Sequence, residues 1–355
     1  MVKKKKQTSS PVKFWKVLFG GFLLSGLLVL ASLWMLQVAL ATPLPVGEKG
    51  LQFQVNKGSS LSGTLRKLKG DGVINWPRLV LAYAYWEGKT DIHSGEYLIP
   101  HGSTAMDLIA RLNRGDVTVY RLTLVEGWTF QQALHKIRSG QRVVRSKAGS
   151  SVSAAARALG LEEGAEEGWI FPDTYVYRSG TTDIELLREA YERMQRVLDE
   201  EWQAKGEGLP YASPYEALIM ASLIEKETGQ PSERSEIAGV FVRRLNKGMR
   251  LQTDPTVIYG LGEDYDGNLT RAHLRAPTPY NTYVINGLPP TPIALPGRAA
   301  IRAALNPKPG KSLYFVGKGD GSHHFSATLT EHNRAVREYQ LKRRADYRSS
   351  PVKGN

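Results

Sequence analysis

The chain is expected to fold as an α+β protein behind a single N-terminal transmembrane helix, and three observations predict this. Residues 17–41 form an uncharged apolar run. Residues 51–112 alternate short segments of β pattern with segments of helical pattern. Residues 213–227 read as an almost wholly apolar helix that ends in two carboxylates, Glu225 and Glu227, and is followed by loops rich in Pro and Gly.

The N-terminus sets the topology. Lys3 to Lys6, Lys13 and Lys16 precede the run from Val17 to Ala41, which exceeds the roughly 20 residues that a membrane helix requires. The positive-inside rule makes residues 1–16 a cytoplasmic basic tail and places everything after Pro43 outside. Ala39-Leu40-Ala41 has the form of a signal-peptidase site, but signal cores run to only about 7–15 apolar residues, so a retained anchor is the reading taken. The length of 355 residues leaves room for two or more further domains. With no cysteine, disulfide frameworks, thiolate metal sites and cysteine nucleophiles are excluded. Of the formal charge of +13, six units are the lysines of the tail, and Lys342, Arg343 and Arg344 form a second cluster. No basic stripe with interleaved aromatics occurs, so nucleic acid is not an expected partner.

After the anchor, Leu51 to Val55 reads as a strand, Ser60 to Lys69 and Trp76 to Trp86 as helices, Gly95 to Ile99 as a strand, and Ser103 to Leu112 as a serine-capped helix. Trp76, Tyr83, Tyr85 and Trp86 are read first as core of this unit. Residues 117–125 alternate as a strand, and Thr129 to Ser139 follows as a helix. Residues 141–158 lack a clear apolar stripe and read as a mobile insert or weak helix. Asp183 to Leu198 is a long amphipathic helix expected to pack beside the helix of residues 213–227. Arg298 to Leu305 is a short helix ended by Asn306-Pro307, Leu313 to Val316 a buried strand, and Glu331 to Lys342 a closing helix.

The helix of residues 213–227 has a clear start, with Ser213 as cap, Pro214 in the first turn and Glu216 completing a capping box. At its other end, burial and the helix dipole would both raise a carboxyl pKa, which suits a general acid. Two positions along a helix means about 200° of rotation, so Glu225 and Glu227 must meet different surroundings. One is expected to face a cleft and the other solvent or a basic partner; the bland alternative is a solvated helix end whose carboxylates pair with Lys226 or Arg234. Glu227 lies one turn beyond Leu223 and Ile224 and shares their apolar face, which favours it, with Glu225 as the alternative. Downstream, GMRLQTDPTVIYG (248–260) and APTPYNTYVINGLPPTPIALPG (276–297) have the composition of rigid, shaped loops. Gln252, Thr253, Asp254, Tyr280, Asn281 and Tyr283 combine hydrogen-bonding groups with flat apolar faces and are the expected substrate contacts. Asp254 is the obvious second carboxylate, although Asp254-Pro255 also reads as a turn. His323 and His324 read as part of a hairpin turn, with His324 within reach of substrate; the absence of matching carboxylates argues against a metal there.

These motifs carry a resemblance. EKET at 225–228, PSER at 231–234, RLNKGMRLQTDPTVIYG, TPYNTY, GLPPTPI, LYFV and EGWIFPDTY at 167–175 resemble the YceG/MltG family of endolytic murein transglycosylases, over about Leu51 to Tyr339. ALPG at 294–297 departs from the ANPG of many members. The resemblance implies a membrane-anchored enzyme of the inner membrane that cleaves peptidoglycan glycan strands without cofactor or metal, beside peptidoglycan synthases. It implies a LysM-like subdomain at 46–118, a catalytic domain at 119–343 with a lysozyme-like catalytic helix, and a flexible tail at 344–355. The essential glutamate lies in the EKE segment, and Glu227-Thr228 resembles the Glu-Ser pair of lysozyme-like transglycosylases. A single acid suffices if the muramic acid's own C6 hydroxyl attacks, since tethering replaces a second protein group. A hydrolytic muramidase and a non-catalytic glycan-binding scaffold remain the alternatives.

Overall fold

A computed structural model describes residues 11–341. Lys3 to Lys6, the cluster Lys342, Arg343 and Arg344, and the tail 344–355 lie outside the described residues. The chain divides between Val119 and Tyr120 into two compact units.

In the first unit, α1 (Pro11–Ala41) contains a 23-residue apolar stretch, Phe19–Ala41, of mean hydropathy 2.1. Its side chains are exposed over most of that length, whereas Leu40, Leu44 and Val46 enter the core of the unit. Strands β1 (Leu51–Val55) and β2 (Gly95–Ile99) pair antiparallel, with Phe53 opposite Tyr97 and their rings stacked at 5.6 Å. Between them run α2 (Leu61–Gly70), capped by Ser60, and α3 (Pro77–Trp86). Then follows α4 (Ala105–Arg114), whose capping box is built on Thr104 rather than on the expected Ser103. The aromatic expectation is corrected here. Trp76, Tyr85 and Trp86 are exposed and Tyr83 is half-buried, because α3 turns the small residues Val80 and Ala84 inward. Residues four apart share a face, and Tyr85 and Trp86 fall off it.

Strand β3 (Val119–Thr123), which starts at the division, pairs with β4 (Thr174–Arg178) of the second unit. Between them lie α5 (Phe130–Arg138) and α6 (Val152–Leu159). Of the two readings of residues 141–158, mobile insert or weak helix, the helix holds as α6: Ser151 caps it, and Ala155, Ala156 and Leu159 are buried against α5 and α7. Its apolar stripe is made largely of alanines, which is why it is faint in the sequence. Helix α7 (Asp183–Gln203) packs against α8 (Pro214–Glu227), as do α9 (Arg234–Asn246), α10 (Asp254–Leu261) and, after the short α11 (Arg271–Arg275), α12 (Arg298–Leu305). Residues 217–224 of α8 are therefore buried on every side. Ser213 caps α8 through the Glu216 N–H, but the Glu216 carboxylate accepts from the Ala212 N–H, so the expected box is only half formed. Asp254-Pro255 is not a turn: it begins α10, with Pro255 in the first turn where no N–H is needed.

The chain closes with a hairpin of β5 (Tyr314–Gly317) and β6 (His323–Ser326), in register Tyr314 to Ser326, and with α13 (Leu329–Val336). The expected buried strand is a half-buried hairpin arm, and the expected closing helix begins two residues earlier and gives way to a π turn at Arg337–Leu341.

Candidate active site

The end of α8 divides its two carboxylates. Glu225 Oε1 accepts from Arg234 Nη2 at 3.2 Å, and Oε2 accepts from the Gly297 N–H at 3.0 Å. Burial raises its pKa, while Gly297 and Arg234 hold it down. Both of its oxygens are thus committed to protein partners. Glu227 turns instead into a cleft of 430 Å³. Burial pushes its carboxyl up to about 7; the Thr253 hydrogen bond and Arg244 oppose the rise, and the neighbouring Asp254 charge adds to it. A carboxyl with that pKa keeps a large protonated fraction at neutral pH, as a general acid requires.

Thr253 is the direct partner of Glu227, its hydroxyl donating to Oε1. Although it is the N-cap of α10, it makes no capping bond with that hydroxyl. Thr253 is itself held from behind: its N–H donates to Thr282 Oγ1 at 3.0 Å, and its carbonyl accepts from Thr256 Oγ1 at 2.8 Å. Gln252, one residue earlier, has φ of +52°, a left-handed conformation uncommon outside glycine, and its N–H donates to the Thr282 carbonyl at 3.1 Å. The hydroxyl that meets the acid therefore comes from Thr253. Thr228, next to Glu227 in sequence, uses its own hydroxyl to accept from the Gln230 N–H at 2.9 Å.

Of the six expected contacts, Gln252, Asp254 and Tyr283 line the cleft with Glu227, and Tyr283 donates to Asp254 Oδ1 at 2.6 Å. Tyr280 and Asn281 are not among its lining residues. Tyr280 stands edge-on to Tyr259 at 5.0 Å, and its hydroxyl meets Thr291 Oγ1 at 2.8 Å. Asn281 is fully buried: its amide donates to the carbonyls of Ala276 (2.8 Å) and His273 (3.1 Å) and accepts from the Tyr283 N–H at 3.0 Å. It braces the turn that presents Tyr283.

Arg244, Tyr314 and His332 also line the cleft and were not anticipated, and His323 lines it from the hairpin expected near the cleft. Arg244 had a legible signal, since it continues the stripe Ile237, Val240, Phe241 on α9, where a charge is out of place. Of the histidine pair it is His323 that reaches the cleft, its Nδ1 2.7 Å from Glu233 Oε2; His324 lies near Tyr339 instead. Among the described residues no group of three His, Cys, Asp or Glu side chains is placed to hold a metal.

The motif at 167–175 supports the back of α8. Gly168 lies against Pro292 and Leu218, Trp169 stacks on Tyr215 at 5.6 Å, and the Ile293 N–H donates to buried Ser222 at 3.0 Å. Burial pushes the Glu167 carboxyl up to about 7, although the Phe130 and Gly168 N–H groups and Tyr259 donate to it.

Comparison with known proteins agrees with this architecture. Endolytic murein transglycosylase of Bacillus subtilis strain 168 is 30% identical over 306 residues, covering 81% of this chain and 84% of the relative. The protein of the same name from Streptococcus pneumoniae serotype 2 is 27% identical over 341 residues; the match takes in 85% of this chain but only 61% of that longer relative. A crystal structure of a yceG-like protein from Listeria monocytogenes superposes with a TM-score of 0.53 at 29% identity, covering 81% of this chain and 99% of that one. Residues 53–338 match the YceG-like family, and the chain belongs to it.

Proposed function

We propose that the chain is a membrane-anchored endolytic murein transglycosylase that cuts the MurNAc–GlcNAc bond of nascent glycan strands and so terminates their growth. The observation that carries this reading is Glu227, whose carboxyl is pushed up to about 7 at the wall of a cleft, in a chain whose relatives bear that name. Glu227 gives its proton to the glycosidic oxygen as the bond to the muramic C1 breaks, and GlcNAc leaves with a free hydroxyl. The muramic C6 hydroxyl attacks C1 and returns its proton to the Glu227 carboxylate, closing a 1,6-anhydro ring. No water is consumed, and tethered attack supplies the effective concentration of nucleophile. Thr253 orients the acid, and Gln252, Asp254 and Tyr283 hold the sugars.

Residues 46–118 act as a LysM-like glycan-binding subdomain and residues 119–343 as the catalytic domain. The strand–helix–helix–strand order of the first unit and a 320 Å³ groove beside Ser60, Tyr85 and Asp91 support the former role. The apolar stretch Phe19–Ala41 supports an inner-membrane anchor with the N-terminus in the cytoplasm, beside the peptidoglycan synthases that make the substrate. Protease added to spheroplasts is expected to digest the chain beyond Pro43 and to spare the basic tail. A soluble mature form beginning near Thr42 would instead mark a cleaved signal peptide.

Asp254 supports one rival reading, because a second carboxylate shares the cleft with Glu227 and could activate water. Mass spectrometry of digested strands separates the two: anhydro ends for the transglycosylase, reducing MurNAc ends for the hydrolase. Asp254→Asn is expected to leave anhydro ends as the product, at a rate reduced about 10-fold because the bond from Tyr283 loses its charge assistance. Reducing ends that vanish in this variant would establish the hydrolase.

A further inference from the structure

Arg244 is buried, at 7% exposure, yet among the described residues no carboxylate lies within ion-pair distance of it. Backbone carbonyls aim its guanidinium: Nε donates to Leu313 at 2.6 Å, and Nη1 donates to Leu251 at 2.7 Å and to Arg250 at 3.3 Å. Tyr314 lies beneath it, the ring centroid 5.1 Å from Cζ. Among the described residues Nη2 has no protein acceptor, and it is not one of the sealed polar atoms of the interior, so it opens on the cleft. Carbonyl dipoles orient a cation without cancelling its charge, and arginine cannot shed its proton. Glu227 lies within its field but is neutral while it carries the catalytic proton, and a desolvated cation then left without a counter-ion is costly unless an anion arrives to meet it. The cleft is also lined by His323 and by His332, which stacks on Tyr314 at 5.2 Å.

Murein offers the matching group in one place. Its two sugars differ by the lactyl ether on O3 of MurNAc, which ends in a carboxylate or, where a stem peptide is attached, leads to the acidic residues of that peptide. An enzyme that cuts on the anomeric side of MurNAc and not of GlcNAc must distinguish the two. We propose that Arg244 binds a carboxylate borne on the lactyl arm of MurNAc and thereby sets which sugar stands beside Glu227. The assignment rests on the glycan-cleaving function proposed above and adds to it a means of choosing the register of cleavage.

The test uses full-length protein in detergent and glycan strands of four kinds: peptide-free or peptide-bearing, each with its carboxylates free or converted to methylamides. For the wild type, neutralising the carboxylate is expected to lower kcat/KM about 10- to 100-fold, mainly through KM, as loss of a charge-assisted hydrogen bond implies. The arm in which the drop occurs identifies the source as lactyl group or peptide. Arg244→Lys keeps the charge without the planar fork and is expected to retain part of the discrimination, whereas Arg244→Gln abolishes it. Equal cleavage of charged and neutralised strands of both kinds by the wild type would leave Arg244 as only a tie between α9, β5 and residues 250–251, and would overturn the assignment while the glycosidase stands. Undiminished discrimination by a folded Arg244→Gln would also overturn it. Cleavage of none of the four removes the glycosidase reading and this assignment together. Because the wild-type arms need no variant, a poorly folded Arg244→Gln leaves the test intact.

Discussion

Glu227→Gln is expected to reduce glycan cleavage by at least about 10³-fold, the upper range for loss of a general acid, with the fold intact. Glutamine keeps the volume, and its carbonyl still accepts from Thr253. Only the acidic proton is lost. In the wild type, kcat/KM is expected to fall about tenfold per pH unit above about 7, as the acid loses its proton. The stability consequence has a definite sign. A carboxyl raised from 4.5 to about 7 on folding stabilises the fold relative to its charged form at low pH, and that contribution is lost as pH rises through this window. Glu227→Gln is therefore expected to melt with the wild type near pH 4 and above it at pH 8. Glu225→Gln, which disturbs the Arg234 pair, is expected to have the milder effect on turnover. A dead Glu225→Gln beside a fully active Glu227→Gln would reverse the assignment of the acid.

Gly168→Ala is expected to cost about 2–5 kcal/mol of stability, the sum of a left-handed backbone penalty and overpacking. Gly168 has φ of +84°, and an added Cβ would lie 2.6 Å from both Cβ and Cγ of Pro292. The proline ring cannot rotate aside, and behind it Ile293 is tied to Ser222 of α8. Gly164→Ala is the control, since φ there is +85° but nothing lies within 4 Å, so only the backbone penalty remains. Thermal unfolding of the two variants separates the contributions. Equal melting temperatures would show that the loop carrying Pro292 yields, and that the 167–175 motif does not brace α8 in this way.

Local chemistry is what the sequence by itself determined. The membrane-length run, the cap of α8 at Ser213, the β pattern of the segments that become β1 and β2 and the amphipathic face of α7 are each written within a few residues, so periodicity and caps disclose them. The same locality shows that Glu225 and Glu227 must part company, because about 200° of helix separates them. Helix α6 was legible only as a weak helix or mobile insert because alanines make a weak stripe, and α10 escaped because an Asp-Pro step serves a turn and a helix start equally well.

Which carboxylate meets which partner was decided only by the tertiary structure. Arg234 comes to Glu225 from the start of α9 and Gly297 from 72 residues further on, while Thr253 crosses from α10 to Glu227. The loop residues were sorted in the same way, Gln252, Asp254 and Tyr283 into the cleft lining and Tyr280 and Asn281 into bonds with Thr291 and Ala276. Composition marks such residues as polar and rigid, but their direction depends on the one backbone path that satisfies every buried amide, as the inward turn of Asn281 shows. Arg244, His323 and His332 enter the cleft from α9, β6 and α13, elements distant in sequence that meet once α8 is enclosed. No local pattern encodes that meeting, because it is the packing of the whole second unit that brings them together.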